Sequence, residues 1–258
     1  AFEALSRLRA AGRTTASVAV DGPELPDAVR SAVDATVDGQ DGVIALTTLA
    51  SVPSGTLAGK RLTEAQINFD GTLAGGALDG TVGGNAFLDG VRVQLAAGIA
   101  AADGERRLTD LDFSAGGARV TGSLAQGADG LLSGDLAVDA ADISTAAALF
   151  LAEATGSVEA TVKLAAAEGR QNADVEATVR DFRFGETRLG SADIDAAIAD
   201  LFNIPAVEGS VRAEALVAGG VEVATLAATA QTSDGATRFN ADATLENGAE
   251  ASAGGVLS

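Results

Sequence analysis

The chain has no cysteine, histidine, methionine, tryptophan or tyrosine in its 258 residues. Without histidine or cysteine there is no Ser–His–Asp or Cys–His nucleophile system and no zinc site built on those ligands. Haem ligation by His, Met or Tyr is excluded as well. Carboxylate, lysine and serine chemistry remains, but no motif organises it, so the chain is read as a non-enzyme with no metal and no cofactor. A thiol-free chain rich in strand pattern suits a bacterial envelope or secreted protein. Aromatic residues make up only 3%, all of them phenylalanine. That is a poor supply for a dense core, because aromatics provide much of the area in ordinary interiors. Positive charge is also scarce: 17 Lys and Arg against 36 Asp and Glu give a formal net charge of −19. Such a balance argues against nucleic acid and against docking on an anionic membrane surface. No run of about eighteen apolar residues is long enough for a membrane-spanning helix. The chain opens at Ala1 without a charged and then apolar leader, which suggests a processed chain or an internal segment of something larger.

What the chain does have is alternation. Hydrophobic residues reach 47%, mostly Ala, Val and Leu, alongside 32 glycines. Val158, Ala160, Val162 and Leu164 share one side of a strand, and Ser157, Glu159, Thr161 and Lys163 the other, because successive strand side chains point to opposite faces. From about Leu62 this rhythm runs to the end, broken by glycine. Ile67 and Phe69 alternate with polar neighbours, as do Val91, Val93 and Leu95, then Leu111 and Phe113. Val120 and Leu124 share a face, as do Leu132, Leu136 and Val138. Val175 and Val179 are odd-numbered whereas Phe182 and Phe184 are even, so a bulge near Asp181 is expected to restore the facing. Val211 to Val217, Val221 to Leu226, Phe239 to Leu245 and Ala249 to Leu257 complete the strands. Ile67, Phe69, Val91, Val93, Leu95, Leu111, Phe113, Val120, Leu124, Leu132, Leu136, Val138, Val158, Val162, Leu164, Val175, Val179, Phe182, Phe184, Val211, Val217, Phe239 and Leu245 are the candidate lining of one continuous face. Asp112, Glu159, Lys163, Arg212 and Asp242 belong to the other.

Two segments break the rhythm. Val29, Val33 and Val37 recur every four residues, Pro26 and Asp27 suit a first turn and Gly39 an end, so the spacing predicts a short helix from Asp27 to Val37. Asp142 to Ala154 is the other, and there Asp142 suits the cap of a short helix through Ala146, Ala147, Ala148, Leu149 and Phe150. Ser191 to Phe202 fits strand or helix equally. Paired glycines at Gly75-Gly76, Gly83-Gly84, Gly116-Gly117, Gly219-Gly220 and Gly254-Gly255 mark tight hairpins. Connections this short force antiparallel neighbours and a meandering sheet. On the order of fifteen strands at about 4.8 Å would extend roughly 70 Å. Such a sheet hides its apolar face by folding into a sandwich, closing as a barrel, or curling into a trough with apolar contents.

Three stretches carry a family resemblance. They are Glu24 to Gly39 (ELPDAVRSAVDATVDG), Leu108 to Phe150 (LTDLDFSAGGARVTGSLAQGADGLLSGDLAVDAADISTAAALF) and Leu189 to Leu245. In that order they resemble the TamB branch of the AsmA-like family, over nearly all of the chain. The resemblance implies an all-β fold with one or two short helices: an elongated, curled antiparallel sheet forming a taco-like apolar groove. An N-terminal unit of strands and a short helix over 1–59 would run on into a repetitive groove segment over 60–258. It implies a periplasmic protein, tethered to the inner membrane in its full-length form. Such a protein carries phospholipid acyl chains toward the outer membrane and supports outer-membrane biogenesis with a TamA-like barrel partner. The alternatives are a β-rich passenger or adhesin and a β-sandwich binding module. Gly75 to Asp89 faintly echoes calcium-binding nonapeptides but lacks their third glycine and their period. Asp193, Asp195 and Asp200 could ligate calcium, but such residues more often form a solvated face.

Overall fold

A computed structural model describes residues 12–22, 25–40, 42–57, 59–203, 205–233 and 235–257, with side chains from residue 35 onward apart from 40 and 257. Among the described residues sixteen strands follow one another: β1 (Gly12–Gly22), β2 (Leu25–Gln40), β3 (Val43–Leu57), β4 (Lys60–Ala74), β5 (Ala77–Leu88), β6 (Val91–Ala102), β7 (Glu105–Ala115) and β8 (Ala118–Gln126). Then come β9 (Leu132–Ala140), helix α1 (Ser144–Leu149), β10 (Ala154–Ala167), β11 (Arg170–Phe184), β12 (Thr187–Ala199), β13 (Ala206–Ala218), β14 (Val221–Ser233), β15 (Ala236–Leu245) and β16 (Glu250–Leu257). They form one antiparallel meander in strict sequence order, and β1 does not pair with β16, so the sheet is not a closed barrel. The pairing runs from β3 into β4 through Leu57 and Lys60 without a break.

The hairpins explain the order. Asp89 and Gly90 both have positive φ (51° and 80°), and so do Gly75 and Gly76 (57° and 93°). Two consecutive left-handed residues make the type I′ turn whose twist matches that of paired strands. Turns after odd-numbered strands line one rim of the sheet, here the first rim. Turns after even-numbered strands line the second.

Residues 27–37, expected as a helix, are strand: Val29 pairs with Val20 and Val33 with Ala16 in β1, and Val37 pairs with Leu46 in β3. A spacing of four is also a multiple of two, so Val29, Val33 and Val37 share a strand face as readily as a helix face. Ser191 to Ala199 likewise resolves as strand. The expected bulge is present. Asp181 has φ +50°, and the β10–β11 register shifts between Thr155 and Ser157. Glu64 and Asp110 (φ 53° and 51°) mark two more shifts, between Thr63 and Gln66 and between Leu108 and Leu111. Each adds one residue, so the apolar set returns to the same face after the bend.

The sheet curls around its apolar side. Alanine serves as a probe because its size is constant. Ala115, Ala118, Ala140, Ala192 and Ala213 on the apolar side are 0–7% exposed, whereas Ala137 and Ala227 on the polar side are exposed. Among the described residues no second sheet lies over that inner side. Ile67 is 56% exposed there. The total accessible surface is 15746 Å², where a compact monomer of 25.3 kDa would show about 10,000 Å². The densest packing is local. Helix α1 lies on the apolar side near the first rim, where Ala148 joins Ala86, Leu88, Val93 and Ala115, flanked by Leu57, Leu62 and Phe113. The expected cap sits one residue off: Ile143 takes the N-cap position without a side-chain cap, and the carboxylate of Asp142 before it accepts the Ser144 amide and hydroxyl, both at 2.9 Å.

Candidate functional site

The register assembles the apolar side strand by strand. One row crosses fourteen strands as Ala50, Ile67, Gly84, Leu95, Phe113, Val120, Val138, Ala160, Ala177, Ile194, Val211, Ala228, Ala241 and Ala253. The backbone register continues it through Val33 and Ala16. No polar residue interrupts it. A parallel row runs Leu111, Gly122, Leu136, Val162, Val175, Ala196, Gly209, Ala230 and Phe239. A third joins Val93, Ala115, Ala118, Ala140, Val158, Val179, Ala192, Ala213 and Leu226. A fourth joins Ile99, Leu108, Leu124, Gly134, Leu164, Ala173 and Ile198.

The remaining candidates fall at the margins of these rows. Phe69 pairs with Val82, Val91 with Leu88, Leu132 with Gln126, Phe182 with Leu189 and Leu245 with Val223. Phe184 lies opposite Ala154 and is 53% exposed. Phe69 lies over Gly71 and Gly80: an added Cβ at either glycine would come within 2.6–2.8 Å of the ring. Glycine there lets the ring lie against the backbone.

Val217 is the exception. It pairs with Arg188 on one side and Glu222 on the other, in the charged row. Ala215, at φ +52°, shifts the facing just before it, so Leu216, opposite Val223, takes the apolar position. Ile99, Ile194, Ile198, Leu189 and Leu226 also belong to the apolar side. Plain alternation around Ile194 and Ile198 could have found those two. The shift at Ala215 leaves no glycine or proline as a signal.

The opposite side carries the charge. Ser114, Arg119, Asp139, Glu159, Thr178, Asp193, Arg212, Ala227 and Asp242 form one of its rows, and Lys163 lies between Asp135 and Asp174. Arg119 donates two hydrogen bonds to Asp112, at 2.8 and 3.0 Å. These bonds hold the Asp112 carboxyl below its ordinary pKa. The depression on this side lined by Glu159, Glu176, Asp193 and Arg212 is open and polar. Asp193 and Asp195 occupy alternate positions of this charged side, and Asp200 lies in the following turn, accepting from Asn203. Among the described residues no group of three or more Asp and Glu side chains could hold a metal ion.

Polar side chains do reach the apolar side near the second rim, and Gln171, Thr232 and Thr237 there bond backbone. Gln171 is 2% exposed. Its Oε1 accepts the Leu132 amide at 2.7 Å, and its Nε2 donates to the Leu132 carbonyl at 2.9 Å. The side-chain amide thus stands in for a peptide unit where the β9–β10 ladder has ended at Gly134. Thr232 and Thr237 do the same for Val207, donating to its carbonyl at 3.1 Å and accepting its amide at 3.3 Å. Among the described residues no buried side-chain polar atom lacks a partner.

No family model matches the chain, and no curated protein or solved structure matches it.

Proposed function

We propose that the curled sheet is a conduit segment whose inner side carries the acyl chains of phospholipid. The unbroken apolar row from Ala50 to Ala253 is the observation that carries this reading. A face of Val, Leu, Ile and Ala left open to water gains about 0.8 kcal/mol for each methylene it covers. Acyl tails need no hydrogen-bond partner, and this face supplies none. The continuous row lets a tail slide from strand to strand without crossing a polar barrier.

Two other readings have less support. A parallel β-helix passenger needs parallel neighbours, and every strand pairing among the described residues is antiparallel. A β-sandwich needs a second layer, and Ile67 faces none. The motifs resembling the TamB branch fit a curled, open sheet. On this reading the chain is part of a periplasmic protein tethered to the inner membrane, working with an outer-membrane barrel partner to supply lipid to the outer membrane. The test is gentle purification followed by organic extraction and mass spectrometry. Co-purifying phospholipid at a fixed ratio to protein is expected. A delipidated preparation identical to the native one, with no lipid in either, would refute the reading.

A further inference from the structure

On the conduit reading, we propose that the first rim near β11 holds an anionic phosphate headgroup whose tail lies against the apolar side. Arg183 in β11 lies directly opposite Arg188 in β12. Like charges in a cross-strand pair repel, and the chain carries 36 acidic residues that could have relieved them. Yet among the described residues no carboxylate bridges either arginine. The ion pairs with described partners join Lys60 to Asp89, Arg107 to Glu105, Arg119 to Asp112 and Arg170 to Glu168.

A second observation converges on the same place. Arg183 lines a cleft of about 770 Å³ together with Lys60, Thr155, Leu151 and Phe184. Lys60 is held only loosely by Asp89, at 3.9 Å. Glu153 is the one carboxylate in the lining. Leu151 is 67% exposed and Phe184 53%, so the cleft presents bare apolar surface beside cationic donors. An arginine fork matches phosphate oxygens bidentately, and an alkyl tail covers Leu151 and Phe184. A ligand with both parts is a phosphate-bearing amphiphile.

The test uses the delipidated 258-residue chain and calorimetric titration below micelle concentrations. The probes are palmitoyl lysophosphatidylglycerol, dodecyl maltoside and inorganic phosphate. The double variant R183Q/R188Q should weaken the lysolipid about tenfold and leave dodecyl maltoside unchanged. The variant R106Q/R107Q removes the same charge from the second rim and should change neither. Equal weakening by both double variants, no weakening by R183Q/R188Q, or inorganic phosphate binding as tightly as lysolipid would overturn the headgroup site. Failure of dodecyl maltoside to bind the unaltered chain would instead overturn the conduit reading. Far-UV circular dichroism checks each fold, and the single variants R183Q and R188Q carry the same test if the double variant does not fold.

Discussion

Replacing Val162 by aspartate separates a face that serves the fold from a face that serves a cargo. Val162 lies between Leu136 and Val175 in the apolar row and is half-buried. In a groove without lipid the new carboxylate stays hydrated. The fold then loses only strand propensity and a part of one valine's burial, about 1–2 kcal/mol in total. With a tail in place the same carboxylate loses its water without gaining a cation, at a cost of several kcal/mol. That offsets the gain from about five or six buried methylenes at ~0.8 kcal/mol each. The expected result is a folded protein with a melting temperature slightly below that of the unaltered chain. Its co-purifying phospholipid should fall at least about tenfold, since each 1.4 kcal/mol is a factor of ten. The control is Thr161→Asp, one residue away on the polar side between Ala137 and Glu176, which should retain its lipid. Lipid-to-protein ratios from mass spectrometry on matched preparations read the outcome. A folded Val162→Asp with undiminished lipid, or an equal loss in Thr161→Asp, would refute the reasoning.

Three further outcomes follow from named contacts. Gln171→Leu leaves the Leu132 amide and carbonyl without their side-chain partner and should cost about 2–4 kcal/mol, seen as a lower denaturation midpoint; an unchanged midpoint would mean that the amide bridge contributes nothing. Ala148→Glu forces a charge into the cluster of Leu88, Val93 and Ala115 and should release α1, exposing residues 144–152 to limited proteolysis; resistance equal to that of the unaltered chain would contradict the packing described. Asp112 titrates low because Arg119 hydrogen-bonds its charged form. The stability from this pair is therefore present above the unfolded carboxylate pKa and is lost as pH falls through the lowered folded value. Arg119→Gln should bring the Asp112 titration back up toward its ordinary range by NMR, and an unmoved titration would deny the link.

The alternation that defines the sheet was legible because a period of two survives any change of apolar residue type. The strand order followed from the short glycine-bearing turns, since a two-residue turn leaves an antiparallel neighbour as the sole choice. Of the five glycine pairs expected to mark hairpins, Gly75-Gly76, Gly116-Gly117 and Gly219-Gly220 are turns, whereas Gly83-Gly84 lies inside β5 and Gly254-Gly255 inside β16. The bulge at Asp181 announced itself through the change from odd to even between Val179 and Phe182. The similar shift at Ala215 did not, because Leu216 and Val217 are both apolar and either parity fits. Thus Val217 reads as lining although it pairs with Arg188 and Glu222. The segment around Val29, Val33 and Val37 misleads for a related reason: a four-residue repeat belongs to both periods. Gln171 and the pair Thr232 and Thr237 carry no signal in one dimension. Their role depends on where neighbouring ladders end, and only the assembled register shows that. The cleft beside Arg183 is equally hidden, since it joins Lys60 to residues more than eighty positions away in sequence.

The openness of the apolar side among the described residues, and its unbroken central row from Ala50 to Ala253, can be probed one residue at a time. A photoreactive amino acid placed at position 162 should crosslink to phospholipid when irradiated in cells, and the same residue at position 163 should not. Adducts at 163 in place of 162, or none at either position, would contradict the account.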